Sequence, residues 1–216
     1  IVPLNIHPFS ISATLPLNIN NKHISEGSLL QINDVLHHVY RSSELDGDHV
    51  SNEGVIAIRK SIDGGSTWND EKIIATGYYD YRNIRSIALN DGRILSFFRI
   101  FDAVTYKPKS LNYIISDVNQ ENWTEPQEIP FEFELSNYNE LWVDNPTIHN
   151  EEHFLTLHAV GFFQLWKFGI ENNAIKDLNL ISSYDYRNTP ILSRIDEPEL
   201  VFSADNKLIV LFRDEG

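Results

Sequence analysis

The sequence lacks cysteine and methionine altogether among its 216 residues. Disulfide bonds and thiol chemistry are therefore excluded from its fold and function. It has no apolar run near the roughly 18 residues that a membrane-spanning helix requires, so we expect no membrane span. Basic residues are few, because 17 Lys and Arg stand against 31 Asp and Glu and give a formal net charge of −14. This excess argues against a nucleic-acid partner, and any site for anions must be a local reversal of the overall charge.

The most distinctive stretch that is present runs Ser-Ile-Asp-Gly-Gly-Ser-Thr-Trp over residues 61–68. Asp63 can accept hydrogen bonds from backbone N–H groups of its own turn, and the two glycines supply positive φ angles there. Trp68 can then fold back and bury its ring against a neighbouring strand. Both flanks have the composition of strands, so the stretch predicts a hairpin with a stapled turn.

Hairpins of similar pattern recur along the chain. They are predicted over residues 29–40, 85–98, 146–157 and 199–212. The residues that close their second strands are Arg41, Arg99, His158 and Arg213, which are 58, 59 and 55 positions apart. A period of about 40–60 residues with four strands per unit is typical of a β-propeller. Two further signs of repetition are a second Trp 55 residues after the first, and the identical segments Tyr79–Asn83 and Tyr184–Asn188.

These patterns predict an all-β fold, a β-propeller of five or six blades when complete, with about four blades present in this chain. We expect residues 1–22 to form a lead-in or closing segment, and residues 23–216 to form the blades. Because four blades do not close such a ring, we expect another chain or a missing C-terminal segment to complete it.

In a propeller, the starts of first strands and the ends of second strands lie on one face. That geometry gathers Arg41, Arg99, His158 and Arg213, together with Asp80 and Arg82, on a single surface. Two interpretations are open for the arginines. Each could pair with an acid of the next blade, or the ring could bind a carboxylate, for which the planar guanidinium is suited. A structural role is favoured for His158. The candidates for stacking on sugar rings, if exposed on that face, are Tyr78, Tyr79, Tyr81, Trp142 and Trp166; Trp142 is the better candidate, and Trp166 is assigned to the core.

The Ser61–Trp68 stretch resembles the Asp-box of the sialidase (neuraminidase) superfamily. A second similarity is a Glu, Glu197, sixteen residues before an Arg, Arg213, across a hairpin. The resemblance implies that Glu197 activates a tyrosine nucleophile and that Arg213 is one of three arginines that clamp a sialic acid carboxylate. It also implies an Asp acid/base in the loop after the first hairpin, where Asp46 and Asp48 are the candidates and Asp48 is preferred.

The sequence departs from that family at its first arginine, where Lys22-His23-Ile24-Ser25 stands instead and Lys22 or His23 would have to substitute. The third arginine and the tyrosine would fall in later blades. Three functions follow: a sialidase-like exo-glycosidase acting on terminal anionic sugars, a non-catalytic glycan-binding propeller such as an adhesin or phage receptor-binding module, and a structural platform. In the first, Asp48 and Glu197 are catalytic. The substrate is surrounded by Arg41, Arg82, Arg99, Arg213, Asp80 and His158. We expect no metal and no cofactor, and an extracellular, cell-surface or virion location is favoured.

Overall fold

The computed structural model describes residues 22–44, 49–131, 141–159, 161–185, 195–205 and 207–214, with backbone only at 145, 195–197 and 212–214. This part of the chain contains fourteen strands and no helix. The first eight strands are β1 Lys22–Ile32, β2 Val35–Glu44, β3 Val55–Ser61, β4 Lys72–Ala75, β5 Asp80–Ala88, β6 Ile94–Asp102, β7 Lys107–Ile115 and β8 Gln127–Glu128. The others are β9 Trp142–His149, β10 Glu152–Ala159, β11 Phe162–Glu171, β12 Ala174–Asp185, β13 Ile195–Phe202 and β14 Leu208–Asp214. Nothing in the described ranges is a helix long and apolar enough to cross a membrane.

The strands form three four-stranded antiparallel sheets, β1–β4, β5–β8 and β9–β12, followed by the pair β13–β14. Each sheet is a simple meander in which consecutive strands are hydrogen-bonded neighbours. The first strands β1, β5, β9 and β13 pack side by side in that order, so they are the innermost strands of four successive blades. The predicted all-β propeller with about four blades in this chain is confirmed, and all four predicted hairpins are present.

The hydrophobic core lies between the blades. On β6, Phe97 joins the cluster between the second and third blades, whereas the next residue, Phe98, joins the cluster between the first and second. Successive side chains on a strand point to opposite faces of the sheet. Because the second blade has a neighbour on each side, both faces of β6 are buried and its sequence is largely apolar. Trp166 lies in the same core as Phe97 and is 9% exposed, as predicted.

Each of the four innermost strands has a β-bulge at an equivalent position. The bulge comes directly after the residue that is paired with the end of the second strand of the same blade. The bulges follow Ser25, Arg82, Asp144 and Asp196, which are paired with Arg41, Arg99, Thr156 and Arg213. These partners are 58, 57 and 57 residues apart, which is more regular than the spacing found with His158. In the repeat, Thr156 therefore corresponds to the arginines, and His158 lies two residues further along the same side of β10.

The turn between β3 and β4 has the predicted internal hydrogen bonds. The Asp63 carboxylate accepts from the backbone N of Thr67 at 2.8 Å and from its hydroxyl at 2.7 Å. Trp68 donates from its indole nitrogen to the Gly65 carbonyl at 3.1 Å, and its ring lies 4.7 Å from the Arg59 guanidinium on β3. The turn between β7 and β8 is built similarly, because Asp117 accepts from three backbone N–H groups of its own turn. We call the end of the propeller that carries these turns the turn face.

The two identical five-residue segments are not equivalent in the structure, and the prediction that they mark the blade repeat is wrong. The first copy spans the start of the innermost strand β5, whereas Tyr184 and Asp185 of the second copy end the outer strand β12. The remaining residues of the second copy, 186–188, lie outside the described residues. The interval of 105 residues is shorter than two blade repeats, so the second copy falls on an earlier strand.

Candidate functional site

Charged side chains collect at the end of the propeller opposite the turn face, where innermost strands begin and second strands end. We call this end the arginine face. The bulge of β1 turns Glu26 toward it, as bulges near functional sites commonly do. The described members of the group are Glu26, Arg41, His49, Asp80, Arg82, Arg85, Arg99, Trp142, Asp144 and His158.

Arg41 and Asp80 form an ion pair between the first and second blades. Arg41 donates from Nε to Asp80 Oδ1 at 2.8 Å, and both side chains are fully buried. Asp80 Oδ2 accepts from the backbone N of Ser51 at 3.0 Å, so the same carboxylate holds the end of the loop that follows β2. A Cβ on Gly54 would lie 1.9 Å from Asp80 Oδ1, so only glycine leaves room for this pair. The pairing of an arginine with an acid of the next blade is thus confirmed for Arg41.

Arg82 is bound to the first blade through Glu26, the bulge residue of β1, which has a φ of 47°. Arg82 donates from Nη2 to Glu26 Oε1 at 3.0 Å and to His49 Nε2 at 3.1 Å. Glu26 also accepts from the backbone N of Asn83. Burial raises the pKa of the Glu26 carboxyl, but the Arg82 guanidinium and the Asn83 hydrogen bond outweigh that effect and hold the pKa below its usual value. Glu26 is therefore an anion at neutral pH.

Arg99 lies directly across the strand pair from Arg82, and aromatic rings surround its guanidinium. Its Cζ is 4.6 Å from the centre of the Phe101 ring and 4.9 Å from that of Trp142. Like charges facing each other across a strand pair repel. Cation–π contacts with the two rings, and the carboxylate beside Arg82, offset that repulsion.

An acid–imidazole pair adjoins Trp142 on the third blade. His158 Nδ1 is hydrogen-bonded to Asp144 Oδ2, and because a carboxylate only accepts, this nitrogen carries the proton. Asp144 Oδ1 is also 3.7 Å from Arg85 Nη2 of the second blade. The His158 ring stacks on Trp142 with centroids 4.8 Å apart. Trp142 thus links the His158–Asp144 pair to the Arg99 guanidinium.

Among its described side chains, the group has a small excess of positive charge, in a chain with a net charge of −14. It contains four arginines, Arg41, Arg82, Arg85 and Arg99. Three carboxylates oppose them, those of Glu26, Asp80 and Asp144. With the histidines counted as neutral, the balance among these described side chains is one positive charge, opposite in sign to the charge of the whole chain.

The structure brings Arg41, Arg82, Arg99, Asp80 and His158 of the predicted site together. Asp48, and the alternative Asp46, lie outside the described residues. Glu197 and Arg213 are described by their backbone alone, on β13 and β14, where Asp196 is paired with Arg213. Among the described residues, no group of three or more acidic or histidine side chains is placed to hold a metal ion.

Of the two substitutes for the missing first arginine, Lys22 donates to Glu71 at 2.8 Å, whereas the His23 ring lies edge-on to His49 at 6.1 Å. Sequence reasoning missed Glu26 and Phe101. The Glu26-Gly27 step inside a strand pattern was an available signal for a bulge. Phe101 had no signal, because its role depends on the arginines that pack against its ring.

No protein-family model and no curated protein matches the sequence. Solved structures do resemble it. A protein of unknown function from Dyadobacter fermentans is 13% identical, with 91% of this chain and 63% of that chain covered and a TM-score of 0.66. A family 117 glycoside hydrolase from Zobellia galactanivorans is 12% identical, covering 91% and 64% with a TM-score of 0.63. A Trypanosoma rangeli sialidase is 13% identical, covering 89% and 34% with a TM-score of 0.60. This chain spans less than two thirds of each, and at these identities it shares with the sialidase and the glycoside hydrolase their β-propeller fold.

Proposed function

We propose that this chain is part of a sialidase-like exo-glycosidase that removes terminal anionic sugars from glycans. The single observation that supports the proposal most strongly is the group of three buried arginines, Arg41, Arg82 and Arg99, at one end of a strongly acidic propeller. Such a cluster suits a sugar carboxylate, which a guanidinium can bind through two parallel hydrogen bonds. Fold neighbours that are glycoside hydrolases are consistent with this function.

Arg82 and Arg99 are the residues that we assign to the carboxylate. They face each other on the innermost hairpin of the second blade, and Phe101 contacts both guanidinium groups. The fully buried pair of Arg41 and Asp80 would position the surrounding backbone rather than approach the sugar. Positioning of this kind lets a site meet its ligand with little reorganisation.

The catalytic assignments come from the resemblance. Asp48 would be the acid/base, and Glu197 would prime a tyrosine, while Arg213 would add a further guanidinium. A neutral tyrosine avoids the repulsion that a carboxylate nucleophile would meet from an anionic substrate. An Asp kept protonated by removal from water can donate a proton to the leaving oxygen. The tyrosine would come from the blades that complete the ring, supplied by a further C-terminal segment or by another chain.

Hydrolysis assays of the complete propeller on sialyl and glucuronyl glycosides test this proposal. We expect turnover that Glu197→Gln and Asp48→Asn each reduce by at least about a hundredfold, the usual scale for general acid–base groups. Absence of turnover, or turnover that both substitutions leave unchanged, would overturn the enzymatic assignment.

A second candidate is a glycan-binding propeller without catalysis. It is favoured by Lys22-His23 in place of the family's first arginine, and by Arg41, whose Nε is already bound to Asp80. Binding on a glycan array that persists in both carboxylate variants but is lost in Arg99→Ala would support this candidate. Absence of any glycan binding by the parent would argue for a structural platform, and equal binding by the parent and Arg99→Ala would place the glycan site away from Arg99.

A further inference from the structure

Three tyrosines stand on the second blade at the arginine face. Tyr78 and Tyr79 precede β5, and Tyr106 lies in the turn between β6 and β7. Because Asp80 pairs with Phe101 in the ladder, these two connections end side by side. Tyr78 is 80% exposed and Tyr106 is 59% exposed. We call this group the tyrosine rim.

The Phe101 side chain connects the tyrosine rim to the arginines of the arginine face. The Tyr106 ring lies edge-on to Phe101 with centroids 5.2 Å apart, and the Arg99 guanidinium is 4.6 Å from the same Phe101 ring. The Tyr106 ring is therefore within about 10 Å of the Arg99 guanidinium. A sugar held by that guanidinium would place the next sugar of its glycan over the rim.

The turn that carries Tyr106 is held in place although the Tyr106 side chain is exposed. Asp102 accepts hydrogen bonds from the backbone N of Val104 at 2.9 Å and of Thr105 at 3.2 Å, which fixes the turn. Tyr106 has a φ of 56°, a conformation that is uncommon for a bulky side chain and that clusters at functional sites. The chain thus presents an aromatic ring to solvent on a well-defined turn.

Two lysines adjoin the tyrosine rim. The Lys109 ammonium lies 3.2 Å from Asp102 Oδ2 and 5.2 Å from the centre of the Tyr79 ring. This cation is matched by a carboxylate, and a second lysine, Lys107, is exposed directly after Tyr106. Exposed aromatic rings suit the apolar face of a sugar ring.

We infer that the tyrosine rim is a second sugar subsite, which stacks the sugar next to the anionic terminal sugar bound by the arginines. This inference rests on the proposed function, because the rim is placed relative to Arg99. It makes an oligosaccharide with an anionic end, rather than the free anionic monosaccharide, the preferred ligand of the site.

Calorimetric titration of the complete propeller tests the inference with matched probes. The methyl glycosides of N-acetylneuraminic acid and of glucuronic acid are compared with sialyllactose and with a glucuronyl disaccharide. We expect the longer probe of a pair to bind about tenfold more tightly, the scale of one aromatic stacking contact. Tyr106→Ala and Tyr78→Ala should each reduce that advantage while leaving monosaccharide affinity unchanged. Tyr106→Phe, which keeps the ring, should retain it.

Ile62→Ala is the control variant, because Ile62 is 83% exposed on the turn face, away from the rim. It should leave both affinities unchanged. Monosaccharide binding with no gain for the longer probe, or a gain that survives in both tyrosine-to-alanine variants, overturns the subsite and leaves the proposed function standing. Failure of all the probes to bind overturns the anion site and the rim together.

Discussion

On the turn face, Asp63 accepts hydrogen bonds from Thr67, four residues away, and Asp117 accepts from residues of its own turn. On the arginine face, Arg41 binds Asp80 and Arg82 binds Glu26, partners that are 39 and 56 residues apart and belong to different blades. The Asp63 and Asp117 turns are therefore held by contacts that each hairpin makes alone, and the links between blades on this face include exposed pairs such as Lys60 with Glu121 at 2.9 Å. The arginine face exists only when blades have assembled, so changes there act on the whole ring.

The charged side chains of the two faces also differ in burial, and therefore in how much their interactions stabilise the fold. Asp63 is an exposed residue, whereas Asp80 and Arg41 are inaccessible to solvent. Exposed ion pairs contribute little because water and salt screen them. Water cannot solvate a buried charge that has lost its partner, so removing one partner of a buried ion pair lowers the stability strongly.

The largest expected effect is that of Asp80→Ala, which removes the carboxylate that is paired with the buried Arg41 guanidinium. We expect the free energy of unfolding to fall by about 3–5 kcal/mol. The matched control is Asp91→Ala, which removes an exposed carboxylate 2.7 Å from Arg93 on the turn face and should cost at most about 1 kcal/mol. Urea unfolding of both variants measures the two losses in unfolding free energy. Equal losses would contradict the difference in burial between the charged pairs of the two faces.

A smaller effect is expected for Gly54→Ala, which pushes a methyl group into the Arg41–Asp80 pair. Its Cβ would lie 1.9 Å from Asp80 Oδ1 and 2.8 Å from Arg41 Nε, so the pair must separate. The unfolding free energy should fall by about 1–3 kcal/mol, as for other overpacked sites. Gly169→Ala is the control, since its Cβ would have no neighbour nearer than 3.6 Å. A Gly54→Ala variant as stable as Gly169→Ala would contradict the buried pair.

The smallest effect concerns the turn face and depends on pH. Hydrogen bonds from the Thr67 backbone and hydroxyl, and from Ser61, lower the pKa of Asp63 from 3.8 to about 2. A carboxyl whose pKa is lower in the folded state stabilises that state above pH 4, and the contribution disappears as the pH falls toward 2. Asp63→Asn should therefore be less stable than the parent at pH 6, and the two should converge near pH 2. Thermal unfolding of both proteins across this pH range measures the difference in stability. A difference that keeps the same size from pH 6 to pH 2 would argue against a stabilising role of the ionised carboxylate.

Features encoded locally could be predicted from the sequence. The Asp63 turn, the four hairpins and the propeller follow from residues close together in the chain and from the repeat spacing. The meeting of Arg41, Arg82 and Arg99 on one face also followed, since strand direction alone determines it.

Features that depend on bulges and on packing between blades could not be predicted. Spacing alone aligned His158 with the arginines, but residues in a bulge shift that alignment, and Thr156 is the equivalent position. Glu26 reaches Arg82 only because a bulge turns it inward across a blade boundary. The roles of Asp48, Glu197 and Arg213 remain predictions that rest on the family resemblance.

The most direct test of the account is to observe the arginine side chains while an anionic sugar is added. Nitrogen-15 NMR of the guanidinium groups in the complete propeller, assigned with Arg82→Lys and Arg99→Lys, can follow each residue during titration with N-acetylneuraminic or glucuronic acid. We predict that the signals of Arg82 and Arg99 shift, whereas those of Arg59 and Arg93, on the side of the turn face, stay in place. Unmoved signals at Arg82 and Arg99, or equal shifts at all four arginines, would contradict an anion site on the arginine face.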